Sequence, residues 1–230
     1  MKWRIGRKCG WLLAALVCAA GAGAGDNLLV NGSFDDPDQP LKGWKYDYAD
    51  TGNRLYAGNC NYVSVLPADG ARRGVLRLHG TRDVLWATGQ GVKVDSWPVP
   101  FEPGATYKLT AYARSSADSR EPGPNCRMYI EGYRWRPGVK PHDAPRLSDL
   151  RKVYKQGPGN ILYFGGRDSG AFSGAPRSWQ KGECTFPSKD RSELAERHLQ
   201  RVKFLVVHIV AIDGWDGDLL VDDVQLRRIE

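Results

Sequence analysis

Short segments in which apolar and polar residues alternate recur along the chain, separated by clusters of glycine, proline, asparagine and aspartate. This period of two is typical of strands with one buried face, and the 3.6-residue spacing of amphipathic helices is almost absent. The pattern predicts an all-β sandwich. Its candidate strands are residues 27–34, 43–48, 74–79, 90–95, 106–115, 126–135, 160–164, 182–186, 201–212 and 219–228.

Two short helices are predicted to decorate the sheets. Residues 190–200 begin with Asp190 and Glu193 at the spacing of a capping box, and residues 147–154 are a weaker candidate. The stretch 136–177 is rich in glycine, proline and arginine, and predicts a long loop excursion on one side of the sandwich. We expect residues 26–230 to form a single domain, because a chain of this size can bury one good core.

The first 25 residues have the three-part pattern of a cleavable export signal. Residues 1–8 carry four positive charges, residues 11–20 are apolar, and residues 21–25 are small. The apolar run is about half of the roughly 20 residues that a membrane-spanning helix needs, so no transmembrane segment is expected in the mature chain. Leu16 and Val17 before Cys18 argue against a lipoprotein signal. We therefore expect a secreted protein, either extracellular or periplasmic.

The formal net charge of +7 comes largely from that signal. The first 25 residues hold four of the 33 basic side chains and none of the 26 acidic ones, which leaves +3 for the rest. The remaining basic side chains are scattered instead of gathered on one element. This distribution argues against a nucleic-acid partner.

Three of the five cysteines, Cys60, Cys126 and Cys184, lie outside the predicted signal. In an oxidising compartment, the simplest arrangement is one disulfide and one free thiol. The sequence does not determine which two pair. We favour Cys126 with Cys184, because both fall in predicted strands. A zinc site is not expected, since no CxxC spacing is present.

Short motifs follow one another in the order found in a known family. The chain has NLLVNGSFD at residues 27–35, Gly43-Trp44, FEPGATYKLTAYAR at 101–114, SWQ at 178–180 leading into TFP at 185–187, and LLVDDVQL at 219–226. With these motifs the chain resembles the carbohydrate-binding modules associated with cellulases, which have a jelly-roll, galactose-binding-like fold. Residues 134–177 depart from the resemblance, since that segment is longer than such modules have there. The resemblance implies that the partner is a glycan, such as a polysaccharide.

The resemblance also implies a structural Ca²⁺ near the junction of the first and last strands. Asp35 and Asp222 match the acidic positions of such a site, and backbone carbonyls would complete the six to eight oxygen ligands that Ca²⁺ takes. Read without the family, the two residues are ordinary solvated carboxylates in turns. No catalytic cofactor is expected.

Two predicted strands carry aromatic and charged side chains on the face opposite to their core residues. Aromatic rings stack on the apolar faces of pyranose rings, and planar charged groups bind sugar hydroxyls. The sequence therefore predicts a sugar-binding platform. Its residues are Tyr112, Arg114, Arg127, Tyr129, Glu131, Tyr133 and Trp135. The alternative is that the long excursion covers this face, so that the aromatic residues form a secondary core.

Three functional classes stay open. We favour a non-catalytic glycan-binding protein. The first alternative is a structural or envelope protein that binds a protein partner and has no sugar affinity. The second is a glycan-active hydrolase or lyase, although the sequence has no ExDxxE, GxSxG or HExxH motif.

For that second alternative the best acid or base candidates are Glu131, whose pKa aromatic neighbours would raise, and His142 with Asp143. His208 lies in the apolar run 204–210. We expect it to be a satisfied histidine of a central strand that is covered on both sides.

Overall fold

A computed structural model describes residues 26–49, 58–81, 83–84, 91–116, 123–155, 161–164, 175–188, 192–213 and 216–230. The predicted export signal, residues 1–25, lies outside the described residues. None of the helices in the described part of the chain has the length and hydrophobicity of a transmembrane segment.

Two antiparallel sheets form the predicted all-β sandwich. In chain order the strands are β1 (Trp44–Lys45), β2 (Val63–Asp69), β3 (Arg72–Gly80), β4 (Val92–Ser96), β5 (Val99–Pro100), β6 (Tyr107–Ser116), β7 (Asn125–Trp135), β8 (Leu150–Tyr154), β9 (Ile161–Phe164), β10 (Gln180–Phe186), β11 (Phe204–Ile212) and β12 (Gly217–Arg228). The seven-stranded sheet runs β1-β4-β11-β7-β8, with β5 paired to β11 and β9 paired to β7. The five-stranded sheet has the order β10-β6-β12-β3-β2.

The core lies between the two sheets, and the alternating pattern of the sequence places residues in it. In β6, Tyr107, Leu109, Ala111 and Ala113 are buried, and every intervening residue is partly exposed. In β11 every residue after Phe204 is buried. Both faces of this central strand are therefore covered, as its continuous apolar run predicts.

The segment 27–34 is not the predicted strand. It forms turns beside β12, where the strand pairing shifts between Asp222 and Gln225. The side chain of Asn27 binds the backbone of β12 at this shift. Its Oδ1 accepts a hydrogen bond from the Leu226 amide at 3.0 Å, and its Nδ2 donates to the Val224 carbonyl at 3.0 Å. The motif thus packs on the last strand without joining the sheet.

The prediction for residues 136–177 was wrong in part. Residues 147–154 form no α-helix: a single 3₁₀ turn, Leu147–Asp149, leads into β8. β8 and β9 both pair with β7, so the predicted excursion contributes two strands to the larger sheet, and β9 confirms the predicted strand 160–164. The sequence pattern also missed β2 and β5, and only Trp44–Lys45 of the predicted strand 43–48 is paired.

The predicted helix 190–200 exists as α1 (Glu193–Leu199), but its cap differs from the prediction. Ser192 is the N-cap, and its side chain accepts a hydrogen bond from the Ala195 amide at 3.3 Å. Asp190, the predicted cap, lies outside the described residues.

The predicted disulfide between Cys126 and Cys184 is not formed. Cys60, Cys126 and Cys184 are all free, and Cys126 is fully buried. Cys126 lies on β7 of one sheet and Cys184 on β10 of the other, and both pack as small apolar side chains in the core between them. Burial raises the pKa of both thiols, that of Cys184 to about 12.

Candidate functional site

The seven predicted ligand-binding residues do not form one surface. Tyr112 and Arg114 belong to β6 in the five-stranded sheet, and the other five belong to β7 in the seven-stranded sheet. In both strands these residues alternate with core residues, so the two groups point to opposite sides of the sandwich. We call the two outer surfaces the five-stranded face and the seven-stranded face.

On the five-stranded face, the predicted residues are already engaged by other side chains. The guanidinium of Arg72 lies 4.0 Å from the ring centre of Tyr112 and 4.7 Å from that of Trp179. Arg114 donates two hydrogen bonds to Asp69, at 2.7 and 2.6 Å. Hydrogen bonds from Arg114, and a weaker one from Trp179, lower the pKa of Asp69 despite its burial. Charged side chains of the protein itself therefore already bind Tyr112 and Arg114, the groups that a sugar would contact here.

The predicted calcium ligands lie beside this face. Asp222 is 5% exposed, and its Oδ2 accepts a hydrogen bond from Arg72 at 2.7 Å. Burial raises the pKa of Asp222 by more than Arg72 lowers it. Among the described residues, no group of three or more His, Cys, Asp or Glu side chains could hold a metal ion. A cation at Asp222 would have to compete with Arg72, and a site shared with Asp35 stays a prediction.

A line of buried polar groups crosses the centre of the seven-stranded face. His208 on β11 lies between two carboxylates, with Nδ1 2.6 Å from Asp95 Oδ1 and Nε2 3.3 Å from Glu131 Oε2. Lys93 donates to Asp95 at 3.1 Å, and Lys152 donates to Glu131 at 3.0 Å. The three central side chains are at most 3% exposed. Two carboxylates and three basic side chains therefore form one network of ion pairs and hydrogen bonds in the middle of the sheet.

The ionisation of this network follows from its contacts. Burial disfavours the imidazolium of His208, but Asp95 and Glu131 outweigh burial and raise its pKa. Burial likewise opposes ionisation of Glu131, yet His208 and Lys152 lower its pKa to about 2. The pKa of Asp95 is lowered for the same reason, by His208 and Lys93. The expectation that the surroundings of Glu131 raise its pKa was therefore wrong, because its nearest neighbours are cations and not only aromatic rings.

One end of the seven-stranded face is covered, as the alternative interpretation of the aromatic residues predicts. Tyr133 is 7% exposed and forms a small second core with Leu150 and Val206, against which Trp135 and Phe204 pack. The hydroxyl of Tyr133 donates to Glu131 at 3.1 Å, and burial raises the pKa of this tyrosine. The side chains of Tyr133 and Glu131 are therefore buried within the seven-stranded face and are not accessible to a ligand.

The other end of the same face holds partly exposed aromatic residues. Tyr129 stacks on His208, with ring centres 4.7 Å apart and planes inclined by 22°. Arg127, two residues earlier on β7, lies directly opposite Tyr163 on β9. Tyr163 is 40% exposed, and the Arg127 guanidinium lies 5.7 Å from its ring centre. We call Arg127, Tyr129 and Tyr163 the tyrosine platform.

Tyr163 was missed because β9 has only four residues, in which one exposed tyrosine carries little periodic information. The sequence shows a tyrosine at this position, but it does not show which residues lie beside that tyrosine in the fold. Pairing with β7 is what brings it beside Arg127.

A cleft of about 710 Å³ opens at the β1 edge of the seven-stranded sheet. One wall consists of residues 44–47 and 96–98, and the other of residues 143–148. Trp97 and Tyr46, which line it, are 52% and 36% exposed.

No protein-family model and no curated protein sequence matches the chain. Among solved structures, it matches a family 16 carbohydrate-binding module at 20% identity and a TM-score of 0.46, over 87% of this chain and 99% of that one. It matches the CBM22-1 xylan-binding domain from Paenibacillus barcinonensis at 15% identity and a TM-score of 0.46, over 90% and 97% of the two chains. A cyclase from Fischerella sp. TAU matches at 13% identity and a TM-score of 0.46, over 87% and 95%.

Carbohydrate-binding modules thus appear among the structural neighbours, as the sequence motifs predict. Every identity is below 25% and every TM-score is below 0.5, so these likenesses decide nothing about the ligand.

Proposed function

We propose that this chain is a secreted, non-catalytic protein that binds a glycan on the tyrosine platform of its seven-stranded face. The observation that carries the proposal is the stacking of Tyr129 on His208, which Asp95 and Glu131 hold from both sides. A ring that is oriented before the ligand arrives loses little conformational entropy on binding. The exposed part of the Tyr129 ring is suited to the apolar face of a pyranose.

Arg127 and Tyr163 supply what a sugar needs beside a stacking ring. Arg127 is partly exposed, and its guanidinium lies beside the exposed ring of Tyr163. A partly exposed guanidinium can donate hydrogen bonds to sugar hydroxyls or to a uronate carboxylate. Because Tyr163 faces Arg127 across the strand pair, the platform has two rings and one donor group within neighbouring positions.

The ionisation of Glu131 supports a binding role over a catalytic one. Glycan hydrolysis requires a carboxylic acid whose pKa is raised, so that it is protonated at working pH. Glu131 is 2% exposed and its pKa is about 2, so at neutral pH it is a charged partner of His208 and Lys152.

Titration calorimetry against soluble polysaccharides tests the proposal. The panel holds neutral polymers (xylan, hydroxyethyl cellulose, laminarin and mannan) and acidic ones (alginate and pectate). We expect wild-type protein to bind at least one polymer. The Tyr129→Ala, Tyr163→Ala double variant should bind that polymer at least tenfold more weakly, since truncation of central aromatic contacts costs this much or more.

Tyr112→Ala is the matched control, because it removes a tyrosine from the opposite face and should leave the affinity unchanged. Equal affinities of the wild type and the double variant would contradict the site. Absence of binding across the panel, together with co-purification of a specific protein partner, would favour the protein-interaction alternative. Release of reducing ends that Glu131→Gln abolishes would favour the enzyme.

A further inference from the structure

We propose that the cleft beside β1 is a second sugar-binding site, which takes a unit of a neutral glycan stacked on Trp97. This inference rests on the proposed glycan-binding function, and it assigns a subsite that lies apart from the tyrosine platform. The volume of about 710 Å³ is within the range of about 300–1,000 Å³ found for ligand pockets.

Hydrogen bonds hold the backbone of the first wall of the cleft at Trp97. The Trp97 amide donates to the Gly43 carbonyl at 2.7 Å, which ties the indole-bearing residue to the start of β1. The hydroxyl of Ser96 donates to the Trp97 carbonyl at 3.0 Å and accepts from the Val207 amide at 2.9 Å. The backbone at Trp97 is therefore anchored to both neighbouring strands. Its side chain nevertheless stays half exposed, at 52%.

Contacts within the protein also hold the second wall in place. The Arg146 amide donates to the Asp149 carboxylate at 2.8 Å, and the same carboxylate lies 3.4 Å from Nε2 of His142. The His142 ring packs on Trp135, with ring centres 5.0 Å apart, and Leu147 packs against the second core. Because both walls are held by contacts of the protein itself, the cleft exists before any ligand enters.

The lining favours a neutral polyhydroxyl ligand over other chemistry. Asp47 and Asp143 line the cleft together with Lys45 and Arg146. The two carboxylates and two cations balance, so the lining favours neither an anion nor a cation, and the charged groups as a whole disfavour a purely apolar ligand. A sugar uses both carboxylate acceptors and guanidinium donors, while its C–H face stacks on the indole.

The position of the cleft relates it to the seven-stranded face. Lys45 lines the cleft and lies directly opposite Asp95, the residue that binds His208. The cleft therefore opens at the edge of the face that carries the tyrosine platform.

Fluorescence titration of the full protein with cellohexaose, xylohexaose and laminarihexaose tests this inference. The proteins are the wild type, Trp97→Ala, Trp97→Tyr and Tyr163→Ala, each confirmed as folded by its thermal melting. We expect Trp97→Ala to weaken binding of the best hexaose at least tenfold, and Trp97→Tyr, which keeps a ring, to retain most of the affinity. The shift of tryptophan emission on binding should vanish in Trp97→Ala.

Equal affinity of wild type and Trp97→Ala, with loss of binding in Tyr163→Ala, would overturn the second site and leave the proposed function intact. Loss in Trp97→Ala, with unchanged binding in Tyr163→Ala, would support the cleft and overturn the platform. Failure of wild type to bind any of the three hexaoses would overturn the inference, and the polysaccharide panel would then decide the proposed function separately.

Discussion

Replacement of His208 by glutamine removes the cation between Asp95 and Glu131, whose side chains are 0% and 2% exposed. The pKa of Glu131 falls from 4.5 to about 2 in the folded protein, a shift that corresponds to about 3 kcal/mol of stabilisation of its charged form. Removal of one partner from a buried ion pair costs about 3–5 kcal/mol, because an uncompensated charge stays behind. We therefore expect His208→Gln to lower the free energy of unfolding by about 3–5 kcal/mol near pH 6.

The pH dependence of this loss has a definite sign. The folded pKa of His208 is raised, so its contribution is complete below the unfolded pKa of about 6.5 and is lost as the pH rises through the folded value. The folded pKa of Glu131 is lowered, so its contribution is complete above about 4.5 and is lost as the pH falls towards 2. The difference between wild type and variant should therefore be largest near pH 6 and smaller on both sides.

Urea unfolding followed by circular dichroism, at intervals from about pH 4 to pH 9, measures this difference. His79→Gln is the matched control, because Nδ1 of His79 lies 2.7 Å from Asp218 Oδ1 but its side chain is 42% exposed. An exposed pair contributes at most about 1 kcal/mol. A loss in His208→Gln below about 1 kcal/mol, or one that stays constant with pH, would refute the account of the network.

Three further predictions concern the fold. Gly91→Ala should lower the free energy of unfolding by about 2 kcal/mol or more in urea titrations, since Gly91 has a φ of +61° and a Cβ would overlap the Ala211 carbonyl oxygen; unchanged stability would contradict this. Arg114→Lys should lower the melting temperature by about 2–4 °C, because lysine cannot make both hydrogen bonds to Asp69, whereas an unchanged melting temperature would show that the paired geometry is dispensable. In a chain that begins at Asp26, Ellman's reagent should titrate three thiols in guanidinium, and Cys126 should react slowest in native buffer. A count of one thiol would instead indicate a disulfide.

The sequence predicts the sandwich well because burial in a strand has a period of two. In β6 the alternation of apolar and polar residues matches the alternation of buried and partly exposed ones over the whole strand. In β11 the continuous apolar run around His208 correctly indicates a central strand. Residues 147–154 were misread because the apolar residues of such a short stretch fit a helix as well as a strand, and pairing of β8 with β7 decides between them.

The candidate site was harder to predict, because a site depends on which strands share a sheet. β6 and β7 follow each other in the chain and both carry aromatic residues opposite to the core, so the sequence suggests one surface. The structure places them in different sheets, with Tyr112 on one side and Tyr129 on the other. Pairing between distant segments, such as His208 with Asp95, likewise leaves no local pattern that reveals a buried ion-pair network.

The most direct test of glycan binding on the tyrosine platform is an NMR titration of ¹⁵N-labelled protein with the best-binding oligosaccharide. The account predicts large amide shifts at saturation on β7 and β9, at Arg127, Tyr129 and Tyr163, and little change in the amides of β6 and β10. Shifts concentrated around Tyr112 on β6, or no shifts at saturating oligosaccharide, would contradict it.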